Sequence, residues 1–251
     1  MPTTVLITGA SSGFGAACAR LYAQKGYALV LLARRLDRLE ALKSELSQQC
    51  NVFIQALDVT DRNAVSHVLE TLPASHQSID ILINNAGLAL GIAPAHETDL
   101  NDWDTMVNTN ITGLMHMTRA ILPGMVARNR GHIVNIASIA GSWPYPGGNT
   151  YGATKAFVQQ FTKGLKADLL GTNIRVTELS PGMAETEFSL VRFNQDQQKA
   201  DSVYDNATPL SAADIADIIV WVTSVPAHVN INSLEVMPVC QAWGPLAVSR
   251  D

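Results

Sequence analysis

The start of the chain joins a short apolar segment directly to a glycine-rich turn and a helical pattern. Residues 3–8 form the apolar run, and Thr8-Gly9-Ala10-Ser11-Ser12-Gly13-Phe14-Gly15 follows. Glycines in such a turn permit close approach of the backbone to a pyrophosphate and close packing of helix on strand. The helix N-terminus adds N–H donors and the positive end of its dipole. The segment therefore predicts a dinucleotide site formed by Gly9, Ser11, Ser12, Gly13, Phe14 and Gly15.

Apolar runs and helical patterns alternate along the remainder of the chain. The apolar runs are continuous, which is typical of parallel strands buried on both faces. No linker divides residues 1–251. We therefore predict the α/β class, as a single doubly wound Rossmann-type domain with a mostly parallel seven-stranded sheet and helices on both faces. The predicted strands cover residues 3–8, 27–33, 52–57, 79–83, 132–137, 174–179 and 233–239.

Three features of the predicted helices and loops bear on a functional site. A long helix over residues 102–128 contains Pro123, which predicts a bend or break there. Ser211 and Asp214 match a capping box that begins a helix. Residues 183–209 are polar and show only weak structure signals. Long loops of this kind commonly carry function, so we expect this segment to be a substrate lid.

The end of the second predicted strand indicates which dinucleotide is bound. Sites for NAD commonly place an acidic residue about 20 residues after the glycine-rich turn, where it binds the ribose 2′-hydroxyl. Here the strand ends with Arg34 and Arg35, and no carboxylate precedes them. Guanidinium groups suit a 2′-phosphate, which favours NADP; the alternative is a solvated pair of arginines. Asp58 and Val59 follow the third strand and are predicted at the adenine edge.

Two further loops follow predicted strands at the edge where open parallel sheets bind ligands. Asn84-Asn85-Ala86-Gly87 follows the fourth strand. Its amides fit a cofactor role, which would involve Asn85, Ala86 and Gly87, or a structural role that fastens neighbouring strand ends. Pro181 and Gly182 follow the sixth strand, where the backbone could bind the nicotinamide carboxamide with help from Thr186.

Tyr151 and Lys155 lie four residues apart in a predicted helix and therefore share one face. A nearby positive charge favours the phenolate, so we predict that Lys155 lowers the pKa of Tyr151 from about 10 toward neutrality. Ser138 ends the preceding strand, 13 residues before Tyr151. Taken alone, the Tyr-x3-Lys pair also fits an exposed pair without chemistry, and Asn110 fits a buried polar helix residue.

Together these residues closely resemble the short-chain dehydrogenase/reductase family over the whole chain. The matching pieces are Thr8-Gly9 with Gly13 and Gly15, Asn84-Asn85-Ala86-Gly87, Asn110 with Gly113, Ser138, Tyr151 with Lys155, and Pro181-Gly182 with Thr186. The resemblance implies hydride transfer between nicotinamide and a substrate carbonyl, with Tyr151 exchanging the proton and Ser138 holding the oxygen. It also implies that Lys155 binds the nicotinamide ribose and that Asn110 holds a water leading from Lys155 to solvent.

A narrower resemblance indicates the substrate. Asn84 to Gly91, Ala140 to Tyr145 and Pro226 to Asn232 are similar to the NADP-dependent 3-hydroxy acid (serine) dehydrogenases. Those enzymes act on L-serine, L-allo-threonine and short 3-hydroxy acids, or reduce malonic semialdehyde. Met183-Ala184-Glu185 departs from their pattern, which has an extra residue and a Gly-Gly there. The predicted substrate-binding residues are Ser138, Trp143, Tyr145, Met183, Phe188 and Arg192.

Arg192 is the residue expected to bind a substrate carboxylate, because a guanidinium can bind a carboxylate through two hydrogen bonds. The alternative is a solvated charge on the lid, and Trp143 could equally be a core residue. Two other functions remain open. One is a broad carbonyl reductase that acts on bulkier ketones, and the other is a dinucleotide-sensing regulator without turnover.

Charge and composition bear on partners and location. The net charge of -5 argues against a nucleic-acid partner. Three scattered cysteines and six histidines show no metal spacing, so we expect neither a disulfide framework nor a metal site. Apolar runs stay below the roughly 18 residues of a membrane span, and we expect a cytoplasmic protein with a small-molecule substrate. Only 16% of residues are charged, which, with the family resemblance, suggests a homotetramer in which the apolar residues 243–248 form a buried tail.

Overall fold

The protein is built around one seven-stranded sheet in which all strands are parallel. The computed structural model describes residues 3–243. The strands are β1 (Thr4–Thr8), β2 (Ala28–Ala33), β3 (Val52–Ala56), β4 (Ile79–Asn84), β5 (Gly131–Ile136), β6 (Ile174–Pro181) and β7 (Ser233–Val236). Their order is β3-β2-β1-β4-β5-β6-β7. The order reverses between β1 and β4, which is where sheets of this kind bind ligands. The predicted Rossmann-type fold is confirmed.

Helices cover both faces of the sheet. They are α1 (Gly13–Gln24), α2 (Leu36–Leu46), α3 (Arg62–Glu70), α4 (Leu100–Val107), α5 (Leu114–Ala127), α6 (Asn149–Asp168), α7 (Phe188–Arg192), α8 (Gln197–Ser202) and α9 (Ala212–Ser224). One face packs on α1, α2 and α9 through residues such as Cys18 and Ile215. The other packs on α3, α5 and α6 through Val68, Met117 and Leu165. Because both faces are covered, every residue of β1 and β2 is buried, as continuous apolar runs require.

The capping box predicted for α9 is present. The Ser211 hydroxyl accepts a hydrogen bond from the backbone N–H of Asp214, and the Asp214 carboxylate accepts one from the backbone N–H of Ser211. These two bonds satisfy N–H groups that a helix start otherwise leaves without partners.

The interruption predicted at Pro123 lies elsewhere. Helix α5 continues through Pro123, and the irregular turn precedes α5, where Asn108–Gly113 form a π-helix between α4 and α5. Asn110 occupies this turn and is fully buried. π-Helical turns are rare and frequently occur at functional sites, so the irregularity points to Asn110 rather than to the proline.

Residues 183–209 are more regular than their sequence suggests, because they contain α7 and α8. A parallel bridge between Ala184 and Leu210 joins the two ends of the segment, and the side chain of Asp196 caps α8 by accepting from the N–H of Lys199. Within residues 3–243, no helix is both long and apolar enough to cross a membrane.

Candidate active site

A cleft of about 500 Å³ lies at the carboxyl ends of the strands. Phe188, predicted to bind the substrate, lines it. So do most residues predicted to bind the cofactor or act in catalysis: Gly9, Ser11, Ser12, Gly13, Phe14, Arg34, Arg35, Asp58, Val59, Asn85, Ala86, Gly87, Ser138, Tyr151, Lys155, Pro181, Gly182 and Thr186. Its volume lies within the range of small-molecule and cofactor sites, roughly 300–1,000 Å³. The structure therefore brings together motifs from the ends of six strands, β1 to β6.

The glycine-rich turn lets the backbone approach the strand ends closely. Gly9 has φ +65°, and a Cβ on Gly15 would lie 2.5 Å from the carbonyl oxygen of Gly9, so a side chain at Gly15 would clash with the turn. Ser12 stands at the N-cap of α1, but its side chain makes no capping bond. The first N–H groups of α1 consequently remain available for an anion.

The two predicted arginines differ in their surroundings. Arg34 is exposed. The guanidinium of Arg35 donates to the hydroxyl of Ser12 at 2.7 Å and to that of Ser11 at 3.2 and 3.3 Å. Arg35 is thereby positioned beside the glycine-rich turn. Asp58, which also lines the cleft, accepts hydrogen bonds from the N–H and the hydroxyl of Thr60, both at 2.9 Å.

Both asparagines after β4 fasten neighbouring strand ends. Asn84 donates to Asn135 Oδ1 and to the hydroxyl of Thr118, each at 2.9 Å. Asn85 donates to the carbonyl oxygens of Thr8 and Gly9 at 2.9 and 3.2 Å. The structural alternative therefore describes both amides, while Asn85 also lines the cleft.

Ser138, Tyr151 and Lys155 converge at the cleft from β5 and α6. Ser138 follows β5 and accepts a hydrogen bond from the N–H of Ala140 at 3.1 Å. Tyr151 and Lys155 lie on the buried face of α6, with Lys155 Nζ 5.8 Å from the centre of the Tyr151 ring. Lys155 Nζ donates to the carbonyl oxygen of Ile136 at 2.8 Å, which holds the ammonium above the end of β5.

Burial dominates the titration of both side chains. It raises the pKa of Tyr151 to about 12, against the hydrogen bond with Ser138 and the charge of Arg192, which lower it. Burial also lowers the pKa of Lys155 to about 8, while the carboxylate of Glu178 acts in the opposite direction. The prediction that Lys155 lowers the tyrosine pKa is therefore wrong for the protein alone, in which the cation acting on the phenol is Arg192.

Asn110 lies behind the cleft. Its Oδ1 accepts from the N–H of Leu88 at 2.9 Å, and its Nδ2 donates to the Leu88 carbonyl at 2.8 Å and to the Thr154 hydroxyl at 3.0 Å. A Cβ on Gly87 would lie 3.2 Å from Asn110 Oδ1 and 3.4 Å from Lys155 Nζ. Both polar groups thus face the same glycine, and Asn110 connects the loop after β4 to α6.

Four of the six predicted substrate residues are placed beside the cleft or in it. Phe188 packs on Tyr151 with ring centres 5.6 Å apart. The guanidinium of Arg192 lies 5.8 Å from the Tyr151 ring centre and donates to the hydroxyl of Tyr145 at 2.5 Å and the carbonyl of Gly91 at 3.3 Å. Tyr145 and Phe188 belong to the apolar cluster around Tyr151. With Ser138, these side chains could form a substrate pocket.

Trp143 and Met183 are not among the described residues that line the cleft. Trp143 is 45% exposed, donates to the carboxylate of Glu235 at 3.1 Å and packs on Trp243 with ring centres 5.9 Å apart. The prediction that it forms a pocket wall, and the alternative that it belongs to the core, are both wrong. The proposed buried tail falls outside the described residues, except for Trp243, which is 57% exposed.

Several cleft residues escaped the sequence prediction because no motif marks them. They are Ala33, Leu57, Leu88, Thr109, Ile136, Ala137, Ala184, Glu187, Val191 and Gln195. Glu187 is the only carboxylate among them, and its position directly after Thr186 was a signal that could have been used. Glu185, in the segment that departs from the subfamily pattern, is exposed. Residues 3–243 contain no cluster of three side chains able to hold a metal ion.

Comparison with known proteins agrees with this geometry. The sequence profile of the short chain dehydrogenases matches residues 3–197, and the chain belongs to this family of oxidoreductases. It is 53% identical to the NADP-dependent 3-hydroxy acid dehydrogenase YdfG of Salmonella typhi over 98% of this chain and 99% of the relative. It is also 53% identical to sulfoacetaldehyde reductase 2 of Chromohalobacter salexigens over the full length of both chains.

Among solved structures, the closed form of a serine dehydrogenase complexed with NADP+ superimposes with a TM-score of 0.97 at 52% identity. The match covers 99% of this chain and 100% of that one.

Proposed function

We propose that this protein is an NADP-dependent oxidoreductase that transfers a hydride between nicotinamide and the 3-position of a short 3-hydroxy acid. The observation that carries the proposal is the convergence of Ser138, Tyr151 and Lys155 in one cleft with the glycine-rich turn. Family membership supports the reaction class, and the activities for which the similar proteins are named support the cofactor and the substrate class.

The residues of the cleft fit NADP. The open N-terminus of α1 suits the pyrophosphate. Arg34 and Arg35 suit the 2′-phosphate. Bound NADPH supplies the hydride, and the protein supplies binding and orientation. We propose that Asp58 and Val59 bind the adenine end and that Pro181, Gly182 and Thr186 bind the nicotinamide end, as the predicted sites require.

In this proposal Tyr151 gives its phenolic proton to the substrate oxygen during reduction and accepts it during oxidation. The Ser138 hydroxyl holds that oxygen in place. The buried Tyr151 hydroxyl stays protonated at neutral pH because burial raises its pKa to about 12, which suits an acid in the reduction direction. Lys155, with a pKa of about 8, is mostly charged at pH 7, and we propose that it binds the ribose hydroxyls and returns protons through the region of Asn110.

A positive charge next to Tyr151 supports the proposed substrate class. The names of the two relatives refer to substrates that carry a carboxylate or a sulfonate close to the reacting carbon. Arg192 brings a guanidinium to 5.8 Å from the Tyr151 ring centre. A guanidinium has five N–H donors. Within residues 3–243, the Arg192 guanidinium uses two of them, one for Gly91 and one for Tyr145. We propose that Arg192 binds the anionic group of the substrate.

Steady-state kinetics test the proposed function. L-serine, 3-hydroxypropionate and 3-hydroxyisobutyrate are measured with NADP and NAD, and malonic semialdehyde and sulfoacetaldehyde with NADPH. We expect kcat/KM to be highest for a 3-hydroxy acid or its aldehyde with the phosphorylated cofactor. Higher activity on aryl or cyclic ketones would favour a broad carbonyl reductase, and the absence of turnover with every substrate would favour a dinucleotide sensor.

Replacing Arg192 with Gln is expected to lower kcat/KM for malonic semialdehyde by about 10- to 100-fold, because a hydrogen bond to a charged group contributes about 1.5–3 kcal/mol. Its methyl ester, which lacks the charge, should change by less than about threefold. Arg192 also lowers the pKa of Tyr151, so its loss should raise that pKa further. The rate of substrate oxidation by Arg192→Gln should then begin to increase at a higher pH than that of the wild type, because Tyr151 is the base in this direction.

Lys199→Gln is the matched control for Arg192→Gln. Lys199 is also a lid cation, but its side chain is 69% exposed and pairs with Asp196 at 3.1 Å. We expect its kinetics to stay near wild type. Equal losses on acid and ester in Arg192→Gln would show that Arg192 does not bind the substrate charge.

We propose that the active form is a cytoplasmic homotetramer. Trp143, Trp221 and Trp243 are each about half exposed on the single chain, which is unusual for large aromatic side chains and fits surfaces covered by other subunits. Static light scattering should give about four times the chain mass of 27.0 kDa; the mass of a monomer would contradict the proposal.

A further inference from the structure

The lid carries a carboxylate that pairs with two arginines, Arg35 in the cleft and Arg38 on α2. Glu187 Oε2 accepts from Arg35 Nη1 at 2.9 Å, and Glu187 Oε1 accepts from Arg38 Nη1 at 2.5 Å. The three side chains are 38–43% exposed, so solvent and ligands can reach them. Burial acts to raise the pKa of Glu187, but hydrogen bonds from Arg38 and Arg35 outweigh it, and the pKa lies below its usual value. Glu187 is therefore anionic at neutral pH.

Glu187 uses hydrogen-bond donors of Arg35 that a bound phosphate would also need. Arg35 donates simultaneously to Ser11, Ser12 and Glu187, and all four residues line the cleft. A phosphate that used the guanidinium of Arg35 and these two hydroxyls would be brought next to the carboxylate of Glu187. The phosphate and the carboxylate of Glu187 would repel each other as neighbouring anions. They would also compete for the N–H donors of the Arg35 guanidinium.

We propose that Glu187 competes with the 2′-phosphate of the cofactor for Arg35, and is thus a residue that determines cofactor specificity. This inference rests on the proposed function, because it takes the 2′-phosphate to lie at Arg35. A dinucleotide with a 2′-phosphate must displace Glu187 from Arg35, whereas one with a free 2′-hydroxyl meets no such competition. Glu187 therefore weakens NADP binding relative to NAD binding.

The test uses two probes that differ only in the 2′-phosphate, adenosine 2′,5′-bisphosphate and adenosine 5′-monophosphate. Their dissociation constants are measured by isothermal titration calorimetry on the full chain with Glu187 and with Glu187→Gln. Gln keeps the size of the side chain and removes the charge. We expect the bisphosphate to bind about fivefold more tightly to the variant, in line with the modest energy of partly exposed ion pairs. The monophosphate should change by less than twofold.

The ratio of the two constants separates charge competition from loosening of the lid, because a looser lid would affect both probes alike. Glu185→Gln is the matched control, since Glu185 lies two residues earlier and is exposed; its ratio should equal that of the wild type. An unchanged ratio in Glu187→Gln, or weaker binding of the bisphosphate, would overturn the competition.

The wild-type ratio distinguishes this failure from failure of the NADP site. If wild type prefers the bisphosphate and Glu187→Gln leaves that preference unchanged, the competition is wrong and the NADP site stands. If neither wild type nor Glu187→Gln prefers the bisphosphate, the assignment of the 2′-phosphate to Arg35 is wrong, and the competition with it.

Discussion

Replacing Tyr151 with Phe is expected to lower kcat/KM by about 10³-fold while the affinity for NADPH changes by less than about threefold. A positioned acid or base contributes about 10²- to 10⁴-fold to the rate, and this substitution removes only the hydroxyl. The ring stays packed against Phe188, 5.6 Å away between ring centres, so the apolar cluster keeps its shape. The measurements are steady-state reduction of malonic semialdehyde and titration of NADPH fluorescence.

Tyr27→Phe is the control for this variant, because it makes the same chemical change outside the cleft. Tyr27 packs edge-on against Tyr22, with ring centres 5.2 Å apart. Its activity should match that of the wild type. If Tyr151→Phe kept its activity within tenfold of wild type, proton transfer would have to be assigned to another group, and the proposed mechanism would be wrong.

The fold could be predicted because it depends on local patterns. Strands β1 and β2 are buried at every position, so selection for burial leaves a continuous apolar run that is visible in the sequence. The capping box at Ser211 depends on two residues three positions apart. The glycine-rich turn likewise lies within one segment, and its place after β1 follows from the strand prediction.

Parts of the site could not be predicted because they depend on contacts between distant residues. Glu187 meets Arg35 and Arg38 only because the lid folds over α2, about 150 positions away in sequence. Trp143 lies at the surface because Glu235, 92 positions away, accepts its indole N–H. The spacing of apolar residues in the sequence does not predict contacts between side chains so far apart in the chain. The π-helical turn at Asn110 is a similar case, since it depends on the backbone of Leu88.

The relation between Lys155 and Tyr151 shows the limit of spacing arguments most directly. Four-residue spacing does place both side chains on the buried face of α6. The position of the ammonium, however, depends on the conformation of a long side chain and on the acceptor that it finds, here the carbonyl of Ile136. Burial is then the largest cause of the shift in both pKa values.

Replacing Lys155 with Met is expected to lower kcat/KM by at least 10²-fold and yet to stabilise the protein at pH 7. The buried amine has a pKa of about 8 instead of 10.5, which corresponds to a cost of about 3 kcal/mol for keeping it charged in the folded state. Losing the hydrogen bond from the charged amine to Ile136 costs about 1.5–3 kcal/mol in return. The free energy of unfolding should therefore rise by up to about 1.5 kcal/mol, measured by urea denaturation.

The pH dependence of this gain has a definite sign. Between about pH 8 and 10.5 the unfolded wild-type chain binds the Lys155 proton more readily than the folded one, so wild-type stability rises with pH. The advantage of Lys155→Met should be complete below pH 8 and should disappear and then reverse as the pH rises to 10.5. Lys163→Met, on an exposed position of the same helix, should show neither effect. The opposite result would be a variant whose stability relative to wild type is lower at pH 7 than at pH 10. Lys155 would then stabilise the fold as a cation, and the cost of its burial inferred from its lowered pKa would be wrong.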